Sequence, residues 1–239
     1  MSLANILQKP SQIDLIGDVY PVRVKDWDEF ESYLSILMIS KKHFNKDLDI
    51  PLLTGIVINL RDEPIVEVLC GIFNILTRTD SFTMEYLEDS VYFENKNKQI
   101  ICDSNYDLLR EVALHQNIIF EPKIYKDPLM ARWAEKALEA KSKNAANITF
   151  EDMITTIATY SSKHYWDIEN YSIYQLKAEF QRITRLKVYD TNSLTYGNSN
   201  VNPSEVKLDH FAESFDLYAD PYKDLFKSKE NLNISKALG

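Results

Sequence analysis

Ser172-Ile173-Tyr174-Gln175 opens the most strongly specified local structure of the chain. A serine followed three residues later by a glutamine matches the capping box, in which each side chain satisfies the other residue's backbone N–H at a helix start. Apolar residues recur behind it with helical period at Leu176, Ala178, Phe180, Ile183 and Leu186. The pattern predicts a helix over 172–186 and, beyond it, an aperiodic polar loop over 190–202.

Helices are also predicted on the N-terminal side of this segment. Asp127-Pro128 combines a capping residue with a proline at the first helical position, and Thr149-Phe150-Glu151-Asp152 is a second start signal. Region 127–189 is therefore expected to be helical. Region 190–239 is expected to hold a loop, a short helix from Asn202-Pro203 and a tail. The tail either docks on its own domain, which the sequence slightly favours, or waits for a partner.

Region 1–126 is predicted to contain both strands and helices. The expected elements are a hairpin turning at Gly17-Asp18, helices opened by Asp26, Leu52 and Pro64, a hairpin joining Val91-Tyr92-Phe93 to Gln99-Ile100-Ile101-Cys102, a helix capped by Asp103 or Ser104, and a strand or extended link at Ile118-Ile119-Phe120. The predicted fold class is α+β, mainly α. Two β-hairpins and several helices form its N-terminal half, and its C-terminal half is helical.

Charge and hydropathy narrow the classes of partner. The 239 residues include 27 Lys and Arg against 36 Asp and Glu, a net charge of −9, and no basic stretch free of acids stands out. Proteins that bind phosphate backbones normally show a basic face, so nucleic acid is not an expected partner. No apolar run is long enough to span a bilayer, so no membrane partner is expected either. The start of the chain lacks the pattern of a secretory signal, which makes the cytoplasm the expected compartment.

The sequence offers few groups for catalysis. Phosphate-binding glycine loops are absent, and Cys70 and Cys102 lie in no metal-ligand spacing, so no cofactor and no metal are expected. Glu111 and His115 stand four residues apart on a predicted helix, close enough to interact. Together with His164 they are the acid–base candidates for an enzyme whose site is assembled from dispersed residues.

Aromatic residues crowd the link between the last two predicted helices. Tyr165, Trp166 and Tyr171 lie there, beside His164. Tyrosine and tryptophan favour both buried hinges and exposed anchors for protein partners. Both interpretations stay open on the sequence alone.

The segment from Ile148 through Tyr165-Trp166-Asp167-Ile168-Glu169-Asn170-Tyr171-Ser172-Ile173-Tyr174-Gln175 resembles the C-terminal region of tail assembly chaperones and baseplate-hub assembly proteins of tailed bacteriophages. In those proteins a helix, a short aromatic link and a second helix recur. The resemblance implies a non-enzymatic protein that holds a tail tape-measure, tube or baseplate component until assembly.

On this hypothesis the partner-binding residues are Trp166, Tyr171, Tyr174, Tyr218, Tyr222 and Phe226. The protein would act in the host cytoplasm, and self-association is left open. Two alternatives remain: a structural subunit of the tail or baseplate that stays in the virion, and the dispersed-site enzyme.

Overall fold

The computed structural model describes residues 3–41, 50–60, 64–87, 90–123, 125, 127–143, 148–197 and 206–219. Within these ranges the chain is mainly helical and has two small antiparallel sheets. The predicted α+β, mainly α class is confirmed.

The elements fall into two groups along the chain. The N-terminal half contains α1 (Leu3–Ile6), β1 (Ser11–Ile13), β2 (Gly17–Val19), α2 (Trp27–Leu37), α3 (Leu52–Asn59), α4 (Ile65–Thr77), β3 (Thr83–Leu87), β4 (Ser90–Glu94), β5 (Ile100–Cys102) and α5 (Asp103–Gln116). The C-terminal half contains α6 (Pro128–Lys143), α7 (Phe150–Ser161), α8 (Tyr165–Ile168) and α9 (Ile173–Tyr196).

The first hairpin forms as predicted, but its turn lies earlier than Gly17-Asp18. Ile13 pairs with Gly17, so the loop is Asp14-Leu15-Ile16, with Leu15 and Gly17 both at positive φ. This three-residue loop lets Ile16 turn inward and become fully buried.

The second β element is larger than the predicted hairpin. β3, β4 and β5 form a three-stranded antiparallel sheet in that order. β3 was not predicted, because it is an edge strand on which Glu85 and Tyr86 face solvent and Met84 packs against the core. Ile118-Ile119-Phe120, predicted as a strand or an extended link, forms no strand. Ile118 has a φ of 54°, which ends the extended path.

Two predicted capping aspartates bind elsewhere. Asp26 stands at the N-cap of α2, but its carboxylate accepts from Arg23 Nε at 2.7 Å. Asp103 is the first residue of α5, and its carboxylate accepts from Thr54 N at 3.0 Å and Thr54 Oγ1 at 2.6 Å. The two hydrogen bonds between Asp103 and Thr54 join the start of α3 to the start of α5.

The main core lies between the small sheets and α2 to α5. Phe73 of α4 is its aromatic centre, with edge-on contacts to Phe82, Phe93 and Tyr106 at centroid distances of 5.8, 5.0 and 6.2 Å. Apolar residues of α4 recur on one face and are buried at Ile65, Leu69, Ile72, Phe73 and Leu76. The helix follows Pro64, the start signal from which it was predicted, and this apolar face packs it into the core.

The C-terminal helices have a smaller core of their own, built from Ile157, Ile168, Leu176 and Ile183. Ile173, at the start of α9, instead belongs to the main core. The loop expected from Asp190 is wrong, because α9 continues to Tyr196. The helix expected at Asn202-Pro203 lies outside the described residues.

Residues 206–219 return along α9. Arg182 Nη1 donates to Glu213 O at 3.0 Å and also to Phe211 O. The guanidinium groups of Arg182 and Arg185 lie over the buried ring of Phe215, 4.8 and 5.1 Å from its centroid.

The division into regions 1–126, 127–189 and 190–239 stays a prediction, and α9 runs through its second boundary.

Candidate protein-binding site

The aromatic link between α7 and α9 is fixed to the N-terminal half by backbone hydrogen bonds. Val24 N donates to Tyr171 O at 2.9 Å, Lys25 N to Glu169 O at 3.0 Å, and Ile173 N to Val22 O at 3.1 Å. These bonds surround a single antiparallel bridge between Arg23 and Ser172. The link therefore has a set backbone path, which reduces the conformational entropy that a bound partner would have to remove.

α1 supports the same link from another side. Gln8 Nε2 donates to Asn170 O at 3.0 Å, and Gln175 Nε2 donates to Ile6 O at 2.6 Å. Gln175 is also the capping-box residue of α9, since its Oε1 accepts from Ser172 N at 3.0 Å. One side chain thus joins α1 to the first turn of α9.

Trp166 and Tyr165 project from this fixed backbone into solvent. Their side chains are 63% and 60% exposed, and the ring of Trp166 stacks on His164 at 4.3 Å. Asn170 Nδ2 donates to Trp166 O at 2.9 Å, which closes the short α8. Large aromatic rings on a rigid support are the residue types that most often anchor a protein partner. Both rings have the exposure that an anchor requires, and Tyr165, which the predicted contact set leaves out, is exposed beside Trp166.

Tyr171 and Tyr174 are placed differently. Tyr174 is fully buried, so it is removed from the predicted partner surface: its ring is a packing element. Tyr171 is partly buried, and Lys163 Nζ donates to its hydroxyl and to Glu179 Oε1, the latter at 2.8 Å. Burial lowers the pKa of Lys163, but the hydrogen bonds and the charge interactions with Glu179 and Tyr171 together raise it above its ordinary value. Around Tyr171 the link is a hinge core.

Tyr218 docks on its own chain. Its ring stacks on His115 and lies 6.0 Å from Tyr174, while its hydroxyl accepts from Asn5 Nδ2 at 2.6 Å. Burial is the main reason that its pKa rises to about 12. The described part of the tail therefore docks on its own chain, which is the alternative that the sequence slightly favoured. Tyr222 and Phe226 lie outside the described residues, so their role stays a prediction.

A surface cleft of about 580 Å³ lies beside α5. Glu111 and His115 both line it, and Tyr218 closes one end. His164 lies instead on α8, against Trp166. The three acid–base candidates are therefore not assembled in one place.

The wall of the cleft is rigid and partly strained. Ile118 is buried with a φ of 54°, a conformation rarely adopted by β-branched residues. Asn117 holds the preceding turn, since Val22 N donates to its Oδ1 at 2.9 Å and its Nδ2 donates to Ala113 O at 2.8 Å. Lys177 Nζ donates to Ile118 O at 3.3 Å, and burial lowers the pKa of this lysine.

The described residues contain neither a metal-binding cluster nor a membrane-spanning helix. No group of three or more His, Cys, Asp or Glu side chains there could hold a metal ion. None of the helices described is both long and apolar enough to cross a bilayer.

Comparison with known proteins points to a phage source. Residues 140–216, which include α7, the aromatic link and α9, match the family model described as the YomV second domain. The chain is also 23% identical to the SPbeta prophage-derived uncharacterized protein YomV of Bacillus subtilis strain 168, over 98% of this chain and 96% of that protein. No solved structure matches. A phage or prophage origin is supported.

Proposed function

We propose that this protein is a non-enzymatic assembly factor of a phage or prophage, which binds a tail or baseplate component through the exposed pair Tyr165 and Trp166. The observation that carries the proposal is the exposure of both rings on a backbone held in place by the N-terminal half. The pair lies inside the segment that matches the YomV second domain.

The resemblance of the same segment to tail assembly chaperones supports a tape-measure, tube or baseplate protein as the partner. A chaperone of this kind acts in the host cytoplasm and leaves before the particle is complete. The alternative, a tail or baseplate subunit, would use the same anchor and remain in the virion.

Affinity capture tests the anchor. The chain, tagged at its C-terminus, is expressed in cells that produce its phage, and captured proteins are identified by mass spectrometry. We expect a tail component to be captured by the wild type and lost with Trp166→Ala and with Tyr165→Ala. Tyr86→Ala is the matched control, because Tyr86 is 69% exposed on the edge strand β3. Equal capture by Trp166→Ala and wild type would refute the anchor.

Purified mature particles separate the two roles. Absence of the chain from particles that contain its captured partner supports a chaperone, whereas a stoichiometric amount supports a virion subunit. The enzyme alternative rests on Glu111 and His115 in the α5 cleft. It would require turnover that Glu111→Gln and His115→Ala abolish.

A further inference from the structure

Helix α6 carries an exposed apolar face with no role in the proposed anchor. Leu129 and Trp133 are 61% and 59% exposed, whereas Ala134 on another face is 3% exposed. Arg132 and Lys136 share the face of Leu129 and Trp133, because the four positions follow the i, i+3, i+4, i+7 spacing. Among the described residues, neither Arg132 nor Lys136 forms an ion pair. The face is thus apolar and positively charged at once.

The cleft beside α5 has the complementary character. Leu52, Leu114 and Phe120 are among the apolar residues that line it, and Asp107 and Glu111 stand along its α5 edge. Lys41 Nζ contacts Asp107 at 3.5 Å, but both side chains are more than half exposed, so this pair is weak and exchangeable.

The shape of the cleft is set before anything binds. Arg110 is 8% exposed and donates from Nε to Leu37 O at 2.6 Å and from Nη2 to Glu121, which also lines the cleft. A wall fixed by a buried guanidinium does not need to be ordered on binding, which favours association.

The charges of the two surfaces also match in spacing. Arg132 and Lys136 stand four residues apart on α6, and Asp107 and Glu111 stand four residues apart on α5. Residues with this separation lie on the same side of a helix, about one turn apart. Two helices lying side by side can therefore pair both cations with both carboxylates while Trp133 and Leu129 reach the apolar floor.

We infer that the protein self-associates by placing α6 of one copy in the α5 cleft of a second copy. The occupant of the cleft is then the Leu129–Trp133 face, and Arg132 and Lys136 pair with Asp107 and Glu111 of the other chain. The cleft volume of about 580 Å³ is within the usual range for binding pockets and can take large side chains such as Trp and Leu. In a closed two-fold dimer the contact occurs twice, as isologous symmetry requires.

Sedimentation equilibrium on the purified full-length chain tests this inference. At about 100 μM, which would populate a complex of micromolar Kd, we expect a dimer. Trp133→Ala should weaken the dimer about tenfold or more, as truncation of a central aromatic anchor commonly does. Trp166→Ala is the matched control, since Trp166 is 63% exposed on α8 and should leave the dimer unchanged.

Charge reversal provides a second measurement. Arg132→Glu with Lys136→Glu, and separately Asp107→Lys with Glu111→Lys, should each abolish dimers, because each variant opposes like charges. Mixing the two variants should restore a mixed dimer, because every helix then meets a cleft of opposite charge. All four side chains are exposed, so circular dichroism should show folded variants.

The inference would be overturned by a wild-type monomer at about 100 μM, which excludes a micromolar dimer, by a dimer indifferent to Trp133→Ala, or by failure of the mixed variants to associate. A dimer lost with Trp166→Ala instead would also overturn it. The outcome is independent of partner capture through Trp166.

Discussion

The phenol ring of Tyr218 stacks on the imidazole of His115, with ring centroids 4.4 Å apart and planes 7° apart. The Tyr218 hydroxyl also accepts from Asn5 Nδ2 at 2.6 Å. One side chain near the end of the described chain therefore contacts both α5 and α1. It holds residues 206–219 against the body of the protein.

Tyr218→Phe should cost about 0.5–1.5 kcal/mol of unfolding free energy, because it removes only the hydrogen bond from Asn5. Tyr218→Ala should cost more, because it also removes the stack on His115. Urea denaturation measures both losses. Tyr86→Ala, on an exposed edge strand, should stay within about 0.5 kcal/mol of wild type. Wild-type stability of Tyr218→Ala would contradict the docking of this segment.

Alkaline pH should release the same contact. The pKa of Tyr218 is about 12 in the folded protein against 10.0 for an ordinary tyrosine, mainly because of burial. A raised folded pKa contributes stability that is fully present below pH 10.0 and is lost as the pH rises toward 12. Unfolding free energy should therefore fall over this window, and less steeply in Tyr218→Phe. If the unfolding free energies of the wild type and Tyr218→Phe depended on pH in the same way, ionisation of Tyr218 would not be the cause.

Ser172→Ala should destabilise the protein by about 1–2 kcal/mol, at the upper end for an N-cap. Ser172 is fully buried, its Oγ accepts from Gln175 N at 3.2 Å, and it precedes the residue of α9 that enters the main core. Thr149→Ala is the matched control, because Thr149 caps α7 with the same capping box at an exposed position. We expect its cost, measured by thermal or urea unfolding, to be smaller. An equal or larger cost for Thr149→Ala would show that burial of the cap adds nothing.

Asn117→Ala should cost about 1–3 kcal/mol or more, because it leaves the N–H of Val22 without its acceptor in a buried site. The carbonyl of Ala113 loses its donor as well. Hydrogen exchange at the Val22 amide should accelerate in this variant. Unchanged protection of that amide would mean that another group takes over the bond.

Helix positions could be predicted from the sequence wherever one face was apolar or a cap was explicit. α4 began at the expected proline, and α9 began at the expected capping box. The end of α9 was misplaced, because the residues after Asp190 show no apolar period. They nevertheless extend a helix whose first three turns are packed. Tertiary contacts hold this last part of the helix: Asn192 Nδ2 donates to Lys207 O at 2.8 Å, and the ring of Tyr189 lies 5.6 Å from the rings of His210 and Phe211.

The candidate site was predicted in part. Trp166 was expected at a partner surface and is exposed, whereas Tyr174, in the same link, is buried. Composition could not separate the two, because tyrosine and tryptophan suit both environments. The difference depends on contacts with Val22, Val24 and Lys25, which lie about 150 residues earlier and leave no local signal. Docking of the tail was slightly favoured from the sequence, but the contacts of Tyr218 with His115 and Asn5 left no local signal for the same reason.

The insertion of Ile173 into the main core has a consequence for synthesis on the ribosome. Every other buried residue of that core lies between Ile13 and Leu114, so the nascent chain holds almost the whole core long before its last piece is made. At typical elongation rates the ribosome needs roughly 3–12 s to travel from Leu114 to Ile173. During this interval Val22 and its neighbours lack the strand-like partner at Ser172, and the nascent N-terminal half is open to chaperones of the host.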